Sequence, residues 1–396
     1  MQTARRLPFS IGTATVGVLG LASGMGIGRF ALTPLLPLMQ QSSGLSLQQG
    51  AWLAAANYAG YLLGALLCLA VGPNPRTAAR GGVAGVALLT LALGTTEVFS
   101  LWLALRALAG VASAFVLVGV SSWALAALAR EQRAQLSGHV FAGVGIGIVL
   151  VGVLGLISGI KAWPPRAAWL LLGLLAAGVA LALWRPLGKA PGMQRTATGA
   201  PAAPLTADAW KLIVCYGVFG FGYIIPATFL PALGRQLFAD PAVFGWAWPV
   251  FGLAAAASTV ASARWLGAVP PRRLFGLGLL VMAAGVAAPA LSPGLPTVLL
   301  SALCVGGSFM VVTMAGLQDA RAIAGAAAPR AVSAMTAAFA LGQLVGPLVI
   351  PPGSIESALA GPSLVASAAL LASAAVLLQS RSGRAAVSTT PPRSPR

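Results

Sequence analysis

Twelve apolar runs occupy most of this chain, each close to the roughly 20 residues that a helix needs to cross the ~30 Å hydrocarbon core of a bilayer. They lie near 11–39, 48–71, 81–99, 100–128, 135–160, 165–184, 210–233, 243–264, 274–291, 295–318, 331–351 and 360–379. Only Thr95, Thr96, Glu97 and Ser100 part the third run from the fourth. A chain that is 58% hydrophobic and 8% charged cannot dress a water-facing surface, where about 25% charge is usual. Its 396 residues also exceed the roughly 250–300 at which one soluble core stops growing. A soluble enzyme, a secreted disulfide module and a disordered tail protein are thereby excluded. What remains is an all-α polytopic membrane protein. The first run follows Arg5 and Arg6, as a signal peptide would, but it outlasts a signal peptide's apolar region of about 7–15 residues. It reads as a retained span.

The net charge of +18 would suggest nucleic acid in a soluble protein. Here the basic residues stand singly or in pairs between apolar runs, without interleaved aromatics, so they set topology and bind no nucleic acid. Nineteen of the 24 Lys and Arg residues fall on the side of the two termini, and only Lys161, Arg166 and Arg235 on the other. That bias places both termini in the cytoplasm, in a multi-pass protein of a bacterial cytoplasmic (inner) membrane. Arg29 and Arg106 remain, inside spans. Cys68, Cys215 and Cys304 lie within apolar runs, form no CxxC pair and read as small core residues rather than a disulfide or metal site. No cofactor or metal is called for.

The order of the runs is doubled. GIGRFALTPLLP, Gly26 to Pro37, matches GFGYIIPATFLP, Gly220 to Pro231, pairing Gly26 with Gly220, Gly28 with Gly222, Leu36 with Leu230 and Pro37 with Pro231. The same offset pairs Trp52 with Trp246, and PNPR ending at Arg76 resembles PPRR ending at Arg273. The chain thus divides into a six-helix bundle over 1–187, a Pro/Gly/Ala-rich cytoplasmic linker over 188–209, a second six-helix bundle over 210–380 and a disordered cytoplasmic tail over 381–396. Parallel repeats of this kind place a substrate site at their interface, near the midplane.

GMGIGRFALTPLLPLM at 24–39 resembles the opening signature of the YbfB/YjiJ-type transporters of the major facilitator superfamily, and TAAFALGQLVGP, Thr336 to Pro347, is similar to that family's eleventh helix. The resemblance implies the twelve-helix facilitator fold, with helices 1, 4, 7 and 10 around a central cavity that opens alternately to either side. Some superfamily motifs depart from pattern. Ala109 replaces the polar residue before Gly110 in the run from Arg106, GPNPRTAAR at 72–80 lacks the gating Asp, and the fifth span has Gly143, Gly145, Gly147 and Gly152 but no Pro. The missing Pro argues against drug/proton antiport.

Arg29 is the leading candidate for substrate binding, with Thr33 one turn away on the same face. An intramembrane Arg normally faces a cavity or a partner, and its planar fork suits a carboxylate. The structural alternative is an Arg bonded to backbone carbonyls or snorkelling outward. Arg106 is the second case, nearer a span end, with snorkelling to the interface as its alternative. Glu97, Glu131, Asp208, Asp240, Asp319 and Glu356 all map to loops or helix ends. Neither arginine therefore has a built-in counter-ion, and an anionic substrate would supply one. Tyr223 stands where Arg29 stands in the first repeat. Asn57, Tyr61, Trp123 and Gln343 complete the candidate substrate-binding set, each with interhelical packing as its alternative role. His139, the sole histidine, is the candidate for proton coupling. Trp52, Trp102, Trp163, Trp246 and Trp248 read as interfacial anchors.

The expected function is secondary, non-ATP transport of a small organic solute bearing a carboxylate or other anionic group, by alternating access and as a monomer. The alternatives are efflux of neutral or amphipathic compounds, or a non-transporting membrane sensor. A membrane serine protease using Ser121 or Ser122 with His139 has the residues but not the spacing or the helix plan, and no enzymatic role is expected.

Overall fold

The computed structural model describes residues 12–133, 136–188, 205–238, 240–324, 327–351 and 355–379. Among them run twelve long helices: α1 (Thr13–Ser43), α2 (Leu47–Val71), α3 (Pro75–Leu93), α4 (Phe99–Arg130), α5 (Ser137–Ile160), α6 (Pro165–Gly188), α7 (Ala207–Leu237), α8 (Ala247–Trp265), α9 (Pro271–Leu291), α10 (Leu295–Ala324), α11 (Ala328–Leu348) and α12 (Ile355–Gln379). A single turn, Pro241–Phe244, precedes α8. The expected linker lies largely, and the expected tail wholly, outside the described residues.

Eleven of these helices are long and apolar enough to cross a membrane. The exception is α3, whose first turns carry Arg76 and Arg80. It also begins and ends earlier than the apolar pattern predicts. Asn74 caps it, its side chain accepting from the Arg76 N–H at 3.0 Å. Pro75 occupies the first turn, where its missing N–H costs nothing. Local start signals here outweigh hydropathy, so the two arginines belong to the helix and not to the preceding loop.

The packing repeats as the sequence does. In the first half α2 packs on α4, and α3 on α4 and α6; in the second, α8 packs on α10, and α9 on α10 and α12. Across the halves α5 packs on α8 and α2 on α11, two contacts that a six-helix shift interchanges. At the centre, the Thr33 hydroxyl of α1 donates to the Ala227 carbonyl of α7 at 3.0 Å. These two residues are separated by 194 positions, the repeat offset, so the pseudo-twofold axis runs beside this bond.

Lipid offers no hydrophobic drive for one helix to join another, so close backbone approach and hydrogen bonds hold such bundles together. At the α5–α8 seam a Cβ on Gly145 would lie 2.4 Å from the Ala256 nitrogen, and one on Gly252 would lie 2.6 Å from the Val149 nitrogen. On the side of the chain termini, Arg272 donates to Asp319 and Asp208 at 2.8 Å each, tying the ends of α9, α10 and α7. Asp319 is buried, near the end of α10 rather than at its centre.

Of the five expected anchors, Trp52, Trp163 and Trp246 are exposed, but Trp102 and Trp248 are buried. The Trp102 indole donates back to the Leu93 carbonyl. Trp248 stacks on Phe251, with ring centroids 4.7 Å apart, and meets Phe30 edge-on. Both sit in the first turn of their helices on the buried face, a distinction the sequence position alone does not make.

Candidate substrate site between the two bundles

The middle of α1 is wound as a π-helix over Ala22–Phe30. Such wide turns are rare and recur at functional sites. Sequence explains part of it. Pro34 lacks the N–H that would reach back to Phe30 in an α-helix or to Arg29 in a π-helix, and glycines at 24, 26 and 28 remove side-chain resistance to the altered winding. Gly26 and Gly28 also bring α1 against its neighbours. A Cβ at Gly26 would lie 2.5 Å from the Gly147 backbone of α5, and one at Gly28 would lie 2.5 Å from the Ser113 hydroxyl of α4.

Carbonyls loosened by this winding are met from the side. Arg106 of α4, only 1% exposed, donates to the Arg29 carbonyl at 3.1 Å and to the Gly28 carbonyl at 3.4 Å. Asn57 of α2 donates to the Gly28 carbonyl at 3.3 Å and to the Arg106 carbonyl at 2.9 Å. Arg106 and Asn57 therefore brace the backbone that carries Arg29. For Asn57 this is the interhelical bonding named as its alternative; Arg106 takes on the carbonyl-bonding role that the sequence offered for Arg29.

The Arg29 side chain is itself 2% exposed. Its guanidinium carbon lies 3.9 Å from the centroid of the Tyr61 ring and 5.3 Å from that of Tyr58. Nη2 donates to the side-chain oxygen of Gln343 on α11. The Gln343 amide then donates to the Tyr223 hydroxyl of α7 at 2.9 Å. Arg29 and Tyr223, equivalent positions in the two repeats, are thus joined through one glutamine across the bundle interface. Nε and Nη1 of Arg29 have no hydrogen-bond partner. No carboxylate pairs with Arg29 among the described residues.

An aromatic wall surrounds this chain of bonds. Tyr223 lies parallel between Phe309 and Phe339, at centroid distances of 5.4 and 5.7 Å. Tyr58 shares a hydrogen bond with the Thr228 hydroxyl at 3.0 Å. All residues of α1 from Gly20 to Met39 and of α7 from Gly222 to Gly234 are buried, whereas their terminal-side turns include exposed positions such as Thr15 and Val214. The two central helices are sealed together on the side away from the termini.

Arg29, Thr33, Asn57, Tyr61, Arg106, Tyr223 and Gln343 thus come together at one level between the bundles. Trp123 does not join them. It is seventeen residues beyond Arg106 on α4, about 25 Å along the helix axis. His139 is exposed in the first turns of α5, on the terminal side. Tyr58, Phe30, Phe309 and Phe339 belong to the site but were not singled out in the sequence. For Tyr58 the signal was available, because it precedes Tyr61 by three positions and shares a helix face with it.

A family model described as "Uncharacterised MFS-type transporter YbfB" matches residues 21–378. The chain belongs to this family of the major facilitator superfamily. None of the curated proteins matches its sequence. Among solved structures, it is similar to the human organic anion transporter MFSD10 (TETRAN), at 19% identity and a TM-score of 0.63, covering 92% of this chain and 98% of that one. A mutant of the nucleoside transporter NupG is similar at 12% identity and a TM-score of 0.71, covering 93% and 99%. At such identities the likeness establishes the shared fold. Family membership makes this a membrane transporter.

Proposed function

We propose that this transporter carries a small organic anion, with a carboxylate as the group recognised by Arg29, from one side of a bacterial inner membrane to the other. The observation that carries the reading is the guanidinium with two unpartnered nitrogens, buried and without an acidic mate among the described residues. A buried cation of that kind is costly until it is paired and fully hydrogen-bonded. A carboxylate supplies the missing charge, and by taking Nη2 from Gln343 together with Nε or Nη1 it fits one edge of the guanidinium fork. That MFSD10 is an organic anion transporter agrees with the reading.

Gln343 supplies the mechanism. Its amide oxygen rests on Arg29 where a substrate oxygen would bind, and its amide nitrogen holds Tyr223 of the other repeat. An arriving carboxylate takes over the Arg29 donors, freeing Gln343. The tie between α1 and α11 becomes a tie through the substrate, and the bundles are released to rock about the α5–α8 and α2–α11 seams. Arg106 and Asn57 act as positioning residues, holding the π-wound backbone that aims Arg29. Tyr61, Tyr58 and Tyr223 supply the walls. With both termini cytoplasmic, the buried half of α1 and α7 is the outer half, and the cargo enters or leaves this form from the cytoplasm.

The test is uptake into proteoliposomes of a panel of small monocarboxylates beside their methyl esters. Carboxylates alone are expected to be taken up, and Arg29→Ala is expected to abolish uptake while the protein still inserts and purifies as a monodisperse species. Uptake of esters and acids alike, or undiminished uptake by Arg29→Ala, overturns the proposal.

A further inference from the structure

Beyond the Arg29 site, an unassigned space opens among the described residues on the side away from the termini. It is a cavity of about 670 Å³ between the end of α1, the α5–α6 turn, the end of α7 and the turn before α8. Gln41, Ser42, Trp163, Phe244 and Arg235 line it. Arg235 is anchored there, its Nη1 donating to the Pro37 carbonyl at 3.0 Å. That bond uses one guanidinium nitrogen of a side chain that lines the cavity. The three basic residues assigned to this face by the sequence all belong to the same corner: Lys161 and Arg166 bracket the lining stretch 162–165, and Arg235 faces it. The cavity thus sets one guanidinium against flat apolar walls, with Lys161 and Arg166 flanking its lining stretch and Asp240 capping the turn that carries Phe244.

It also leads inward. Leu38, Gly159 and Phe244 line both this cavity and a narrow gap beneath it, whose inner wall is Trp248. The Trp248 ring meets Phe30 at a centroid distance of 6.1 Å, and Phe30 in turn lies 5.6 Å from the Arg29 guanidinium carbon. Phe244, Trp248 and Phe30 stand in series between two arginines. A solute moving along this line exchanges one guanidinium for the other across an aromatic plug.

We propose that this vestibule is a second binding site, for a monocarboxylate with a flat apolar body, filled from the distal side before the plug opens toward Arg29. Arg235 holds the carboxylate, and Trp163 and Phe244 face the body of the ligand. The inference rests on the anion reading of the Arg29 site, so its test separates the two. 4-Fluorobenzoate binding is followed by ¹⁹F NMR on the purified full chain in nanodiscs, with 4-fluorobenzyl alcohol as the uncharged control. In Arg29→Ala, saturable binding of the acid but not the alcohol is expected to remain, and adding Arg235→Ala is expected to weaken it at least about tenfold, a loss of ~1.4 kcal/mol. Trp163→Ala, at an exposed residue whose removal leaves the bundles intact, is expected to weaken it about threefold or more, a loss of ~0.7 kcal/mol. No residual binding in Arg29→Ala, or residual binding indifferent to both vestibule changes, overturns the vestibule. Equal binding by wild type and Arg29→Ala, with loss in Arg235→Ala, instead overturns the Arg29 site and leaves the vestibule standing.

Discussion

Replacing Gln343 by glutamate asks whether the cargo is an anion, because it installs within the protein the counter-ion that the substrate is proposed to bring. Gln343 is fully buried, and its side-chain oxygen already accepts from Arg29. A carboxylate in that place would sit about 3–4 Å from the guanidinium. At an effective dielectric of about 20 the added attraction is about 4 kcal/mol, offset by several kcal/mol of carboxylate desolvation. A net gain of about 1 kcal/mol for the substrate-free protein corresponds to a loss of roughly fivefold in affinity for an external carboxylate. Titration calorimetry of the Gln343→Glu protein with its best wild-type ligand measures the affinity, and thermal unfolding measures the stability. The expected result is weaker binding with a raised melting temperature. Gln343→Leu, which strips a partner from Arg29 and another from Tyr223, is expected to lower the melting temperature. Tighter ligand binding by Gln343→Glu would mean a cationic cargo and would refute the reasoning, as would unchanged affinity with a raised melting temperature.

Other perturbations test the frame around the site. Arg106→Gln removes the donors that hold the Gly28 and Arg29 carbonyls, and is expected to destabilise the protein by about 1–3 kcal/mol. Its transport rate should fall more than its ligand affinity does, measured by uptake kinetics on the folded fraction. Gly145→Leu drives a side chain into the α8 backbone 2.4 Å from the would-be Cβ, and is expected to stop transport, whereas Gly178→Ala, with nothing within 4 Å, should leave transport and melting temperature unchanged. Asp319→Asn leaves buried Arg272 with a neutral partner at that position and is expected to cost about 2–4 kcal/mol in thermal unfolding, with ligand affinity retained because the triad lies at the terminal end of the bundle.

The helix plan was legible because membrane helices advertise themselves twice, once in apolar length and once in the side on which their basic residues fall. The third span was misplaced where those two signals conflict, since Asn74 and Pro75 begin a helix ahead of Arg76 and Arg80. The repeat offset carried more than architecture. It singled out Arg29 and Tyr223 as equivalent positions, and they meet through Gln343. What the sequence did not contain was helix rotation. Trp123 and Trp248 are both indoles within or beside spans, yet one lies far along α4 and the other packs on Phe30 next to Arg29. Phe309 and Phe339 flank Tyr223 from two separate helices, so only tertiary packing brings that stack together. The rewound segment of α1 was visible in outline as three glycines ahead of Pro34, but its consequence was not. The freed carbonyls draw in Arg106, which the sequence could read equally as a second anion clamp.

The most direct test is calorimetric titration of the purified wild-type and Arg29→Ala proteins with the carboxylate that binds most tightly and with its methyl ester. The account predicts that wild type binds the acid and not the ester, and that Arg29→Ala weakens binding of the acid by roughly 100-fold, the ~3 kcal/mol typical of losing a charge-assisted bidentate pair. Ester bound as tightly as acid, or acid bound equally by both proteins, would contradict it.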